Sequence, residues 1–138
     1  MTEINIEFLS RCVETLERSY EAIRKSEKDS IDYEMYRNSL VKSFEITLEQ
    51  SGKLLRKKLT PYFATKKAVD ALSFKDLFRA AHKHGLLSEE EVLRWFAYRD
   101  NRNDTTHDYG RKFAEQTVTL IEDFIKDIKR IEKIISND

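Results

Sequence analysis

A chain of 138 residues, 40% hydrophobic and 36% charged, fits one domain that builds its own core. Lys plus Arg equals Asp plus Glu at 25 each, so no net field draws the protein to nucleic acid or membrane, and polyanion contact has to come from a local patch. Three glycines, one proline and one cysteine exclude a turn-rich β protein and an internal disulfide framework, and they suit long helices with solvated faces.

The N-terminus, Met1-Thr-Glu-Ile-Asn-Ile-Glu, lacks the basic and apolar regions of a signal peptide, and no apolar run approaches ~18 residues. A cytoplasmic protein with no membrane partner is expected. The first helix is predicted from Ile4 to Lys25. Phe8, Leu9, Cys12, Val13, Leu16, Tyr20 and Ile23 recur there at spacings of three and four. Cys12 lies on that stripe, so it reads as buried filler before it reads as a reactive thiol. Ser26 to Ser30 is a polar break.

The second helix is predicted from Asp32 to Leu59, with Leu40, Val41, Phe44, Leu48 and Leu55 as its stripe. Pro61 ends it, because proline disfavours helix in the residue before it. Lys53, Arg56, Lys57 and Lys58 crowd its last turns, either as a solvated face complementing the helix dipole or as a phosphate-attracting patch. Glu45 and Glu49 stand four apart on one face of this helix. They read as a surface pair, or as carboxylates that face a functional segment across the bundle.

Ser73-Phe-Lys-Asp76 resembles a capping box with Asp in place of Glu, opening a short helix to Lys83, with Gly85 as its C′ residue. Ser88-Glu-Glu-Glu91 is a fuller box. The helix it opens carries Val92, Leu93, Trp95 and Phe96 and is predicted to end near Arg99 or Arg102. A last helix runs to Ser136 on Phe113, Thr117, Leu120, Ile121, Phe124, Ile128, Ile131 and Ile135. Helices this long need partners along most of their length. The expected fold is all-α: an antiparallel up-down bundle of four main helices plus a short one, a single domain over 1–138, forming dimers.

Between the last two helices lies Arg102-Asn-Asp-Thr-Thr-His107-Asp-Tyr109, where a guanidinium, an imidazole and a phenol crowd together without a packing reason. On an unbroken helix Arg102 and His107 would stand ~140° apart. Asn103, Asp104, Thr105 and Thr106 are turn and N-cap residues, so a helix break is predicted among them. His107 would then fall in a first helical turn, where free N–H groups favour phosphate. Such a site suits transesterification of an RNA phosphodiester: a base takes the 2′-OH proton, an acid protonates the leaving 5′-oxygen, and arginine offsets charge on the phosphoryl oxygens. One histidine cannot easily serve as acid and base in one step, and a symmetric dimer would bring two copies to one cleft. A plainer reading is a polar loop whose histidine caps a helix. His82 and His84 diverge by ~160° on a helix and are poor metal partners. No metal or cofactor is expected.

Across Tyr36 to Ile121 several blocks resemble the nucleotidyltransferase substrate-binding family of the HEPN superfamily. They are Phe44-Glu45-Ile-Thr47-Leu-Glu49 with Lys53, Phe78-Arg79-Ala80 with Gly85-Leu86, and Trp95 followed by Arg102-Asn103 and His107-Asp-Tyr109. Gly52 departs from the pattern, since relatives usually carry tryptophan there. The resemblance implies a dimeric helical bundle acting as the metal-independent endoribonuclease toxin of a type VII-like toxin–antitoxin pair. Arg102 and His107 would be catalytic, with Asn103, Asp108 and Glu45 in support. A cognate minimal nucleotidyltransferase antitoxin would transfer AMP to Tyr109, adding bulk and negative charge beside Arg102. Arg99, Arg111, Lys112 and Lys57, with Arg94, are candidate contacts to an RNA substrate. Two alternatives stay open: a non-catalytic subunit that presents nucleotide or substrate to the nucleotidyltransferase, and a helical adaptor.

Overall fold

The computed structural model describes residues 4–107 and 111–137, and for 103–107 and 113 the backbone alone. The described residues form six α-helices: α1 (Glu7–Lys25), α2 (Ile31–Leu59), α3 (Lys66–Asp70), α4 (Phe74–Lys83), α5 (Glu89–His107) and α6 (Arg111–Ser136). One 3₁₀ turn, Thr60–Tyr62, carries Pro61 just past the end of α2.

The helix ends follow from local chemistry. Ser30 Oγ accepts from the Tyr33 N–H at the start of α2, and Ser73 Oγ accepts from the Asp76 N–H at the start of α4. At α5 the box closes in both directions: the Glu91 N–H donates to Ser88 Oγ at 3.1 Å, and the Ser88 N–H donates to Glu91 Oε1 at 3.0 Å. Asp76 does not reach back in this way; its carboxylate takes Arg79 at 2.8 Å instead. Gly85 has φ of 78°, and the Leu86 N–H reaches the Ala81 carbonyl while the Gly85 N–H reaches that of His82, which is the Schellman closure of α4.

Contacts along the helices fix their directions. Ser10 meets Glu132 and Tyr20 meets Glu122, so α1 and α6 are antiparallel. Tyr33 meets Glu115 and Lys58 meets Asn137, so α2 and α6 run parallel. Glu91 meets Arg130 and Asn101 meets Thr117, so α5 opposes α6. The four long helices therefore run up, down, up, down, with α3 and α4 inserted between α2 and α5. A chain of aromatic contacts crosses the bundle: Phe74 to Phe78 at 4.7 Å, Phe78 to Trp95 at 4.8 Å, Tyr98 to Phe124 at 4.9 Å and Phe124 to Phe44 at 4.7 Å.

Three expectations need correction. α5 does not break among Asn103 to Thr106; it runs on to His107. Residues with low helix propensity cost only a few tenths of a kcal/mol each inside a helix that is already nucleated, and each added residue closes another hydrogen bond. Phe8 is 55% exposed although the periodicity placed it inside. The buried line of α1 runs through Leu9, Cys12, Val13, Leu16 and Ile23, and Phe8 stands about 90° to one side of it. The short α3 was not anticipated at all.

Candidate functional site

α5 presents Arg99 and Arg102, one turn apart, toward α2. Both meet the same carboxylate. Arg99 Nη1 donates to Glu49 Oε1 at 2.6 Å, and Arg102 Nε lies 3.5 Å from that same oxygen. The Arg99 guanidinium also lies over the Phe74 ring at 5.0 Å, which fixes it from the side opposite solvent. The two arginine side chains are 29% and 25% exposed, whereas that of Glu49 is 54% exposed. The cations are thus built into the wall and the anion sits on its outer edge.

That edge opens onto a groove of about 420 Å³ lined by Phe8, Lys42, Glu45, Glu49, Lys53 and Arg102, among others. Glu45 lines the groove, but its ion pair is with Lys42 at 4.0 Å. Of the two carboxylates on this face, Glu49 is the one that contacts Arg102. Lys42 and Lys53 are the lysines of the groove. Lys57 is exposed two turns beyond Glu49, about 12 Å along the axis, and is not among the lining residues. Arg111 is ion-paired with Asp29 in the turn between α1 and α2, and Lys112 is exposed.

The backbone of His107 continues α5, so position 107 is rotated ~140° from position 102 around one helix. The side chains of Asn103 and His107 lie outside the described residues, as do Asp108 and Tyr109 altogether. The described part of the site is therefore the Arg99–Glu49–Arg102 cluster and its groove.

Behind the cluster a buried polar seam locks α5 to α6. Asn101 Nδ2 donates to Thr117 Oγ1 at 2.8 Å, and both residues are buried. Further along the same seam Arg94 donates twice to Asp127, each at 2.9 Å, and the Tyr98 hydroxyl donates to Asp127 Oδ2 at 2.5 Å. Burial, then the bond to Asp127, pushes the Tyr98 hydroxyl far above its ordinary pKa. The bond to Asp127 likewise holds Arg94 more firmly protonated. Arg94 is thus committed to the α5–α6 seam, not free for a polyanion. Elsewhere, burial pushes the Cys12 thiol up. His82 Nδ1 sits 2.9 Å from the Leu87 carbonyl, while His84 stacks on Tyr62 at 4.5 Å. Among the described residues no three His, Cys, Asp or Glu side chains converge as metal ligands. No helix among them is long and apolar enough to cross a membrane.

The profile described as nucleotidyltransferase substrate binding protein like matches residues 4–137. The chain belongs to this nucleotidyltransferase substrate-binding family. A family resemblance extends to a Haemophilus influenzae protein named probable ribonuclease HepT, 33% identical over 85 residues, 62% of this chain and 57% of that one. The matched segment thus spans little more than half of that curated relative. A solved Haemophilus influenzae structure, described as the fold of a substrate binding domain of a nucleotidyltransferase, superposes with a TM-score of 0.85 at 26% identity. The superposition covers 96% of this chain and 100% of the other. A structure described as a toxin-antitoxin with AMP-PNP shares the fold, with a TM-score of 0.67 at 13% identity over 96% and 99% of the two chains. The substrate-binding family thus has, here as in those structures, the all-helical HEPN-like fold.

Proposed function

We propose that this chain is a metal-independent endoribonuclease toxin, neutralised by AMP transfer from a cognate minimal nucleotidyltransferase onto Tyr109. The observation that carries the reading is the pair of wall-mounted guanidiniums, Arg99 and Arg102, which meet one carboxylate at the edge of an open groove that Arg102 lines, on the helix that also bears His107. Arg102 offsets charge on the phosphoryl oxygens as the 2′-oxygen attacks phosphorus. The 2′-O–P bond forms, the P–O5′ bond breaks, and the imidazole of His107 moves the proton to or from the reacting oxygens. Because positions 102 and 107 diverge on one helix, the two side chains meet at one phosphate by pairing Arg102 of one copy with His107 of a second. Asn103 and Asp108 flank these groups as supporting residues. AMP on Tyr109 places negative charge beside Arg102 and repels RNA. The likeness to a protein named probable ribonuclease supports the same reading.

A second reading has its own support: the matched solved structure is described as a substrate binding domain of a nucleotidyltransferase. In that case the groove presents a ligand to the partner enzyme and cuts nothing. One experiment separates the two. Purified protein with RNA and a chelator yields fragments ending in a cyclic phosphate, and His107→Ala and Arg102→Ala each lower the rate by about 10² or more. Intact RNA with the wild-type chain, or full cleavage by His107→Ala, would overturn the ribonuclease reading.

A further inference from the structure

We propose that the Arg99–Arg102 wall is a phosphodiester subsite that the chain's own Glu49 carboxylate occupies when no nucleic acid is bound, with Lys53 receiving that carboxylate when a phosphate displaces it. The ribonuclease reading enters only as the identity of the ligand.

The geometry is that of an anion site already filled. A single oxygen of Glu49 faces two guanidiniums one helical turn apart, at 2.6 Å and 3.5 Å. A non-bridging phosphate oxygen in that position would meet the same two donors, and guanidinium is well matched to phosphate. The exposures show which partner can leave. The arginines are three-quarters covered, and Arg99 is backed by the Phe74 ring; the carboxylate is more than half exposed. An ion pair exposed on one side is weak and readily exchanged.

The groove supplies a second berth. Lys53 lies four residues after Glu49 on α2 and lines the same groove. Glu four residues before Lys is the favourable helical order, so a displaced carboxylate gains a partner one turn along and strands no charge. Glu45 is not equivalent, because its ion pair is with Lys42 and not with either arginine. Glu49 therefore acts as a stand-in for phosphate, sets a threshold for weak anions, and keeps two facing cations from repelling each other in the empty state.

The test measures binding without cleavage, using a labelled single-stranded DNA oligonucleotide, which lacks the 2′-hydroxyl. Fluorescence anisotropy should show Glu49→Gln binding about three- to fivefold tighter than wild type, the size expected for removing an exposed competing charge. Lys53→Met should weaken wild-type binding more than it weakens Glu49→Gln, since the latter has no carboxylate to receive. Asp100→Asn removes the same charge next to Arg99, from a carboxylate paired with Lys75 at 2.8 Å, and should tighten binding clearly less. Unchanged or weaker binding by Glu49→Gln, equal tightening by Asp100→Asn, or no binding by any variant would each overturn the proposal. RNA cleavage is scored separately: cleavage without tightening defeats this subsite alone, and tightening without cleavage defeats the ribonuclease reading alone.

Discussion

Tyr33 shows how one hydroxyl ties stability to pH in this bundle. It is buried near the start of α2, and its O–H donates to Glu115 at 2.7 Å, with Arg37 3.5 Å from the same carboxylate. Burial first, then the hydrogen bond and charge of Glu115, push its pKa from 10.0 up to about 12. A raised acid holds its proton more tightly in the folded state. Its contribution is thus fully present below the unfolded value and disappears as pH rises from 10.0 to about 12. Tyr20 and Tyr98 are shifted in the same direction, so the wild-type chain should lose stability steeply over that window. Tyr33→Phe is expected to cost about 1 kcal/mol at neutral pH and to flatten part of the alkaline loss. Urea unfolding repeated from about pH 8 to about pH 12 measures both. A variant whose alkaline slope matched wild type would show that Tyr33 carries none of this linkage.

At the scale of elements, the packing of α2 against α4 turns on one small residue. A Cβ at Gly52 would lie 3.1 Å from the Phe74 ring, so Phe74 of α4 fills the space that a large side chain at 52 would need. The aromatic bulk at this point of the α2–α4 packing thus comes from the neighbouring helix. Gly52→Trp alone should destabilise by about 1–3 kcal/mol through overpacking. Phe74→Ala alone leaves a gap. The double variant should be more stable than the sum of the two losses, by about 1 kcal/mol or more in a double-mutant cycle of unfolding free energies. Strict additivity would mean that the two positions do not share the space.

The long helices were legible because their stripes repeat over many turns, and the capping residues Ser73 and Ser88 mark where α4 and α5 begin. The five residues of α3 are too few to display a period, and only Thr65, whose Oγ1 accepts from the Ala68 N–H, signals its start. The end of α5 was misread because cap-type residues also tolerate a helix interior. In the candidate site, residue type singled out Arg102. Its partner could not be chosen the same way: Glu45 and Glu49 share one face, and about 6 Å of rise along α2 decides between them. That rise is set by how α2 packs against α5, which no local pattern encodes.

At the scale of the molecule, continuity of α5 makes the ribonuclease reading depend on a second copy. With α5 helical through His107, positions 102 and 107 sit on different flanks of the same rod. A site built within one chain would need both groups on one flank, whereas two copies related by a two-fold axis can each lend one group to the other. Mixing inactive chains tests this directly. Arg102→Ala and His107→Ala protomers, unfolded together and refolded as a mixture, form mixed dimers in which one of the two composite sites regains an intact arginine from one copy and an intact histidine from the other. Random pairing makes half of the dimers mixed, so recovery of up to about a quarter of wild-type cleavage is expected, against none for either variant refolded alone. If both groups acted within one chain, every site in the mixture would still lack one of them and no activity would return. A sedimentation run on the same samples supplies the companion measurement, since recovery requires that the chains associate; a strictly monomeric protein that still cuts RNA would place both groups in one chain and reverse the assignment.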